Sequence, residues 1–254
     1  MLLRDDNAGV ATLTLNRPDQ YNALSDELID ALSATLTDIR RNESIRVVVL
    51  AGAGRAFCAG HDLGQMRARE DRAYYMDLLA RCTAMMNALI EIPQPVIARV
   101  HGIATAAGCQ LVATCDLGIA SSEARFAVSG VNLGLFCSTP IVALSRNVPV
   151  KRAFEMGVTG DFIAAETAAE LGLVNRAVPP AELDAAVAEL TAKITAKPAV
   201  AVATGKRLFY QQLESTRAAA YETAARAMVD NLMHGDACEG IDAFLEKRPP
   251  HWKR

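Results

Sequence analysis

Apolar positions along the 254-residue chain recur with the two periods of regular secondary structure. Residues 10–15 alternate apolar with polar, which predicts a half-buried strand, whereas the unbroken apolar runs at 47–51 and 96–100 predict buried strands. After Ser25, which can cap a helix, leucine and isoleucine recur at helical spacing as far as residue 39. Strand and helix patterns then continue to residue 196, and together they predict an α/β fold.

The pattern changes at Lys197–Pro198, because every later segment is helical. Helices are predicted at 201–212, 216–234 and 239–247, and no strand signal remains. A tail this short could hardly form a core of its own. We therefore divide the chain into a core domain at 1–196 and a helical region at 197–254, which we expect to pack against the body or another subunit.

The stretch HGIATAAGCQLVATCD, residues 101–116, is the most informative one in the chain. The strand run at 96–100 leads into residues with almost no side-chain bulk, and apolar positions at helical spacing follow. A tight turn from strand to helix leaves N–H groups exposed at a helix N-terminus, where the dipole favours negative charge. Close packing of the helix on the strand would require the same small residues.

A second stretch, GAGRAFCAGHDL at residues 52–63, repeats this design after the strand run at 47–51. Two such turns could each direct one amide at a shared point. Two convergent amides form an oxyanion hole, which binds a carbonyl oxygen that becomes negative during a reaction.

Composition excludes several other function classes. The net charge is −3 and no basic cluster marks a nucleic-acid surface. No apolar run reaches the ~18 residues that a membrane span requires. The four histidines lack metal-ligand spacing, so no metal site is expected. The six cysteines form no C-x-x-C pair, and MLLRDDNAG lacks a secretory signal pattern, so free thiols and a cytoplasmic location are predicted.

The motifs RAFCAGHDL and VHGIATAAGCQLVATCDLGIAS resemble the crotonase (enoyl-CoA hydratase/isomerase) superfamily. NRPDQYNAL, FAVSGVNLGLF, TGDFIAAETAAELGLVNRAVP and AFLEKR extend the resemblance, in order, over nearly the whole chain. The segments AAGCQLVA, GVNLGLFCSTP and AMVDNL most resemble the subgroup called enoyl-CoA hydratase domain-containing protein three. The resemblance implies a spiral of repeated β-β-α turns, a C-terminal helical trimerisation region, and an enzyme that acts on acyl- or enoyl-CoA thioesters.

The resemblance also implies an assembly and a set of site residues. It implies a homotrimer or a dimer of trimers, and no separate cofactor, since CoA is part of the substrate. The two oxyanion N–H groups fall on His61 and Ala107. The positions that contact CoA fall on Tyr21, Ala23, Ala59, His61, Asp62, Leu63, Phe244 and Lys247.

The acid–base positions depart from the pattern of a hydratase, which uses two glutamates to hold and ionise one water. These positions carry Gln110 and Gly130, and neither can take a proton, although Gln110 could orient a water. General acid–base groups contribute about 10²–10⁴-fold each, so ordinary two-glutamate hydration is not expected. We expect a glutamate at 130 to be strained if Gly130 holds a positive φ.

Other roles stay open at this point. A third catalytic position of the family falls on Ser138, which needs a partner to act as a base or else simply caps a helix. Cys137 is either a nucleophile with a lowered pKa or a buried thiol. The His61 imidazole could take part in the chemistry, and Asp62 could orient it or cap the next helix. The function is an enzyme of enoyl-CoA hydratase/isomerase type, an acyl-CoA-binding protein without hydratase activity, or a thioesterase- or decarboxylase-type enzyme.

Overall fold

The computed structural model describes residues 1–252. The strands are β1 (Leu2–Asn7), β2 (Val10–Leu15), β3 (Val47–Gly52), β4 (Ala56–Cys58), β5 (Val96–Val100), β6 (Ile103–Thr105), β7 (Leu117–Ser121), β8 (Arg125–Ala127), β9 (Ile163–Ala164) and β10 (Arg176–Val178). The helices are α1 (Asp26–Arg41), α2 (Leu63–Ala68), α3 (Arg72–Glu91), α4 (Ala107–Thr114), α5 (Ser138–Asn147), α6 (Val150–Thr159), α7 (Ala165–Glu170), α8 (Leu183–Thr195), α9 (Ala199–Leu213), α10 (Arg217–Leu232) and α11 (Gly235–Leu245). Short 3-10 helices occur at Pro18–Gln20, Ser129–Leu133 and Pro180–Glu182.

The strands form two sheets, and from β3 to β8 the chain alternates between them. The larger sheet has the order β1-β2-β3-β5-β7-β10 and is parallel except for the β1–β2 pair. The smaller sheet has the order β4-β6-β8-β9, in which β4, β6 and β8 are parallel. Each of the strands β3, β5 and β7 is followed by one strand of the smaller sheet and then by a helix. This repeated β-β-α arrangement confirms the predicted fold class.

The sequence did not predict the short strands of the smaller sheet. Three residues are too few to show an alternation of apolar and polar positions. As a result, the predicted direct turn from strand to helix is wrong, since β6 lies between β5 and α4 and β4 lies between β3 and α2.

The core is one apolar cluster contributed by both sheets and the helices packed on them. Leu28, Leu32 and Leu36 of α1 are buried there, and Ser25 caps α1 by accepting a hydrogen bond from the Leu28 N–H, as predicted. A smaller apolar cluster joins α8 to the larger sheet. The helices α9 to α11 follow, and the division at residue 196 stays a prediction.

One buried ion pair attaches the helical tail to the core. The Lys206 ammonium of α9 lies 2.7 Å from the Asp116 carboxylate and also donates to the carbonyl oxygens of Leu89 (2.7 Å) and Gln94 (2.9 Å). The hydroxyl of Tyr210 donates to the other carboxylate oxygen of Asp116 at 2.8 Å. All three protons of the ammonium therefore have acceptors, which is the condition under which a buried charge is tolerated.

Candidate active site

The candidate site lies where three neighbouring parallel strands end. Because β4, β6 and β8 are parallel and adjacent, their carboxyl ends meet at one edge of the smaller sheet. The segments that leave this edge are residues 59–61, Ala106–Ala107 and Ser129–Gly130. The hydroxyls of Thr105 and Ser129 are 2.8 Å apart, which joins two of these strand ends.

Glycine allows the first two segments to pack backbone against backbone. Gly60 has φ +96°, and a Cβ placed on it would lie 3.2 Å from the Ala107 nitrogen and 2.9 Å from the Ala106 Cβ. A Cβ on Gly108 would lie 2.0 Å from the carbonyl oxygen of Cys58. The structure thus brings together the two small-residue turns that the sequence singled out, and side chains at these glycines would separate them.

Both of the predicted oxyanion N–H groups are available at this contact. The bridge between Leu24 and His61 uses the Gly60 carbonyl and the Asp62 N–H, while Ala107 is the first residue of α4. Within residues 1–252, neither the His61 N–H nor the Ala107 N–H donates to a protein acceptor. Two free donors on adjacent backbone segments are the components of an oxyanion hole.

The predicted CoA-contact segment at Tyr21–Leu24 is bonded to the first of these turns. The Ala59 N–H donates to the Tyr21 carbonyl (3.0 Å), the Leu24 N–H donates to the Gly60 carbonyl (2.7 Å), and the Asp62 N–H donates to the Leu24 carbonyl (3.0 Å). Ala23 is buried, whereas Tyr21 is half exposed and its hydroxyl accepts a hydrogen bond from Arg55 at 2.8 Å. The structure therefore places Tyr21, Ala23 and Ala59 beside the candidate site.

Asp62 has a structural role that does not involve the His61 ring. One carboxylate oxygen caps α2 by accepting from the Gln65 N–H at 3.1 Å, and the other pairs with Arg17 at 2.9 Å. Burial favours a higher pKa for Asp62, but the Arg17 guanidinium and the Gln65 N–H together hold its pKa below the ordinary value. Of the two roles considered for Asp62, the helix cap is the correct one. Leu63, the first residue of α2, stays half exposed.

Arg17 is a site residue that the sequence analysis missed. Besides Asp62, its guanidinium donates to the carbonyl oxygen of Ala23 at 2.6 Å, so one side chain connects both rims of the site. Its place in the motif NRPDQYNAL was a signal that Arg17 could belong to the site. The ion pair with Asp62 could not be predicted, because the two residues are far apart along the chain.

The two residues at the predicted glutamate positions differ in the space around them. Gln110, on α4, is 6% exposed and its side chain has no hydrogen-bond partner among the described residues. Gly130 does not have a positive φ, so the expectation of strain on that ground is wrong. The obstacle at Gly130 is steric, because a Cβ there would lie 2.4 Å from the Leu135 carbonyl oxygen and 2.7 Å from the Cys137 sulfur.

Cys137 and Ser138 lack the surroundings of a nucleophile. Burial raises the pKa of the Cys137 thiol, and the Gly130 N–H, which donates to its sulfur, offsets this only in part. Ser138 is exposed, and its hydroxyl donates to the carbonyl oxygen of Phe136 at 3.3 Å. It begins α5 but does not cap it, since Cys137 occupies the cap position and makes no side-chain cap bond.

Phe244 and Lys247 lie in the tail, away from the residues above. Phe244 is 82% exposed and lines a groove of about 460 Å³ between α9, α10 and α11, to which Trp252 also contributes. Lys247 has φ +56°, and its N–H donates to the Phe244 carbonyl. This backbone hydrogen bond joins two residues of the helical region.

Residues 1–252 contain neither a membrane-spanning helix nor a cluster of metal ligands. No helix among them combines the length and apolar character needed to cross a membrane. No group of three or more His, Cys, Asp or Glu side chains in this part of the chain could hold a metal ion.

The comparisons with known proteins agree with the fold. The family profile described as Enoyl-CoA hydratase/isomerase matches residues 5–254. The mouse protein named "Enoyl-CoA hydratase domain-containing protein 3, mitochondrial" is 41% identical over 96% of this chain and 81% of its own length. A crystal structure of an enoyl-CoA hydratase from Mycobacterium smegmatis is 58% identical, with a TM-score of 0.98 and coverage of 99% and 98%. The crystal structure of human enoyl Coenzyme A hydratase domain-containing protein 3 is 40% identical, with a TM-score of 0.96 and coverage of 99% of both chains.

These relatives correct one prediction and confirm another. The predicted cytoplasmic location is contradicted, because the mouse and human relatives are named as mitochondrial proteins. Free thiols indicate only a reducing compartment and do not say which one. The predicted resemblance is confirmed at the level of the superfamily and of the subgroup, and the chain belongs to the enoyl-CoA hydratase/isomerase family.

Proposed function

We propose that this chain binds an acyl- or enoyl-CoA thioester with the carbonyl oxygen between the N–H groups of His61 and Ala107. The observation that carries the proposal is the backbone contact of Gly60 with Ala107, which sets two unpaired N–H groups on adjacent segments. A thioester enolate gains negative charge on that oxygen, and the two donors stabilise it. Losing one such donor typically costs on the order of 10²–10³ in rate.

The CoA part of the ligand lies along the Tyr21–Leu24 turn in this proposal. Tyr21, Ala23 and Ala59 form one rim, and Asp62 and Leu63 at the start of α2 form the other. Phe244 and Lys247 reach the CoA from a neighbouring copy in a homotrimer or dimer of trimers, since in their own chain they lie in the tail. CoA is part of the substrate, and the proposal needs no further cofactor.

The reaction is not hydration by two carboxylates. Gln110 and Gly130 cannot exchange a proton, and the Ser138 hydroxyl donates a hydrogen bond to a backbone carbonyl. The proposal is therefore an enolate-stabilising enzyme of enoyl-CoA hydratase/isomerase type whose hydratase activity is weak. The second candidate is an acyl-CoA-binding protein without hydratase activity, which the missing carboxylates favour, whereas the preserved turns fit both candidates. A thioesterase- or decarboxylase-type enzyme is a further alternative.

The position of the carbonyl oxygen is tested by infrared spectroscopy of bound butyryl-CoA carrying ¹³C at the thioester carbon. Hydrogen bonds from two N–H groups polarise the C=O bond, so we expect its band to move to lower frequency on binding. The matched ligand is S-butyl-CoA, a thioether without the oxygen, which we expect to bind about tenfold more weakly. An unshifted band, or equal affinities, would contradict the oxyanion assignment. A proline at 107 is a poorer test, because the residue before proline avoids the conformation that Ala106 adopts.

The missing carboxylates are tested by the rate of crotonyl-CoA hydration, followed as loss of the ultraviolet absorbance of the enoyl thioester. We expect a rate several orders of magnitude below that of a two-glutamate relative, since each group contributes about 10²–10⁴-fold. Gln110→Glu should raise the rate and Gln110→Met should not, with crotonyl-CoA binding measured separately for each. A wild-type rate close to that of an efficient hydratase would show that another base acts in the site.

A further inference from the structure

The turn to which we assign the CoA has a strained backbone at two consecutive residues. Tyr21 and Asn22 have positive φ angles of +49° and +56°, and a bulky residue such as tyrosine rarely adopts this conformation. Strain of this kind persists only where the surroundings enforce it. Asn22 is fully buried, and asparagine is one of the few residues that tolerate a left-handed backbone. The contacts of its side chain supply the enforcement.

The Asn22 carboxamide makes three hydrogen bonds, each to the backbone of a different residue. Its Oδ1 accepts from the Arg17 N–H at 2.9 Å. Its Nδ2 donates to the carbonyl oxygens of Ala53 and Ala56, both at 2.8 Å. Gly52 leaves room for this group, since a Cβ there would lie 2.9 Å from Nδ2. Both N–H donors of the carboxamide therefore have acceptors, and the side chain joins the turn to the connection between β3 and β4.

These bonds hold the turn at one position along β4. Ala56 begins β4, which leads directly into the loop that carries the His61 N–H. Backbone hydrogen bonds join Tyr21 and Leu24 to that loop, so the turn is attached at both ends of the strand. A shift of the turn along β4 would break the Asn22 bonds and leave their polar groups buried without partners, which is unfavourable.

We infer that Asn22 is a positioning residue, whose carboxamide fixes the turn that binds CoA relative to the His61 N–H that binds the carbonyl oxygen. The inference rests on the proposed function, because both of these ligand contacts belong to it. CoA bound along the turn then delivers its thioester oxygen in register with the pair of N–H groups. Because Asn22 is buried and does not touch the ligand, it acts on the hydrogen bonds to the carbonyl oxygen through the backbone that it holds.

The test is calorimetric titration of the full-length protein with butyryl-CoA and with S-butyl-CoA, which shares the CoA part but lacks the carbonyl oxygen. We expect wild type to bind the thioester about tenfold more tightly than the thioether. Asn22→Gly accepts the positive φ but lacks the carboxamide, so it should reduce this ratio to within about threefold. The shift of the infrared band of bound ¹³C-labelled butyryl-CoA should become smaller in parallel. A purely structural role would instead weaken both ligands by the same factor.

Asn22→Asp tests the donor role of the carboxamide separately. At about pH 8 the introduced carboxylate faces two carbonyl oxygens without a proton to donate, so the ratio of affinities should fall to within about twofold. Burial raises the pKa of a carboxyl group, so it gains a proton as the pH falls to about 5, and the ratio should rise again. The adenine and phosphate groups are the same in both ligands, so their own titration cancels in the ratio.

Asn147→Gly is the matched control, because the Asn147 carboxamide also donates to two backbone carbonyl oxygens, those of Ala113 (2.8 Å) and Ala143 (2.9 Å). These lie toward the C-terminal ends of α4 and α5, so the control should lower the melting temperature and keep the wild-type ratio and band. An unchanged ratio in folded Asn22→Gly, or equal weakening of both ligands, overturns the inference and leaves the proposed function intact. Equal affinities of wild type for the two ligands overturn the proposed function instead. Circular dichroism identifies an Asn22 variant that does not fold, and the other variant then decides.

Discussion

Ala106 has a backbone conformation that a Cβ disfavours. Its φ is +51° and its ψ is −122°, immediately before the Ala107 N–H. Strain of this kind costs of order 1–3 kcal/mol and persists only where the surroundings enforce it. Here the Ala106 N–H donates to the Ala127 carbonyl at 3.0 Å, and Gly60 packs against its side chain. The strained residue therefore orients the N–H group to which we assign the carbonyl oxygen.

Ala106→Gly should stabilise the fold by about 1 kcal/mol, because glycine accepts a positive φ without the steric cost. The measurement is the free energy of unfolding in urea. The matched control is Ala104→Gly, also buried but within β6 and without a positive φ, which should destabilise the fold. Equal destabilisation by both changes would show that Ala106 is not strained.

At the scale of single residues, the sequence indicated which residues belong to the candidate site better than it indicated the contacts that they make. The resemblance placed Gln110 and Gly130 at the two glutamate positions, and this stays a prediction; it did not show that a Cβ at 130 would meet the carbonyl oxygen of Leu135, a tertiary contact. The sequence offered two roles for Asp62, and the choice depended on Arg17, which lies 45 positions earlier. Such contacts between distant residues have no periodic signature, so they could not be predicted from the pattern.

Among the secondary-structure elements, long elements could be predicted from the sequence and very short ones could not. The helix capped by Ser25 was predicted because α1 has sixteen residues and a continuous apolar face. The strands β4, β6 and β8 have three residues each, and their pairing comes from neighbours in space. The candidate site is built at the ends of these three strands, so its position came from the resemblance to a family.

The sequence did not reveal how helix α9 is attached to the rest of the protein. Lys206 is buried against Asp116, and burial lowers the pKa of Lys206 while the carboxylate opposes this. Asp116 also accepts a hydrogen bond from the Val96 N–H at 2.6 Å, at the start of β5. Removing the ammonium would leave a buried carboxylate without its counter-charge.

Lys206→Met should therefore destabilise the protein by about 3–5 kcal/mol, the usual cost of breaking one side of a buried ion pair. Lys193→Met is the control, because Lys193 pairs with Glu189 on an exposed helix face, where a pair contributes about 0–1 kcal/mol. Thermal unfolding followed by circular dichroism compares the two. Similar melting temperatures for both variants would show that α9 does not depend on this ion pair.

The molecule as a whole leaves apolar surface uncovered on its tail. The sixteen-residue helix α10 has no buried residue, and Met228 is 65% exposed. Phe209 on α9, Leu232 on α10 and Phe244 on α11 are also exposed, whereas Leu208 is partly covered. An apolar area of this kind on a protein surface commonly marks a contact between proteins.

We expect sedimentation and light scattering to show a homotrimer or a dimer of trimers at micromolar concentration. Phe209→Asp combined with Met228→Asp should lower the mass, because a charge buried in an apolar interface is costly. Thr37→Asp, on the exposed side of α1, should leave the mass unchanged. A wild-type monomer under these conditions would contradict the assembly proposed here.

The bonding between the Tyr21–Leu24 turn and the Ala59–Asp62 loop also bears on how such a scaffold diversifies. Three backbone hydrogen bonds and the Arg17 clamp make these segments a single unit, so a mutation that shifts one shifts the other. The exposed loop that carries Leu133, Leu135 and Phe136 lies outside this unit. Descendants of one ancestor can therefore vary that loop while the unit is inherited whole. New acyl groups can then be accommodated without changing the segments that we propose to bind the CoA and the thioester carbonyl.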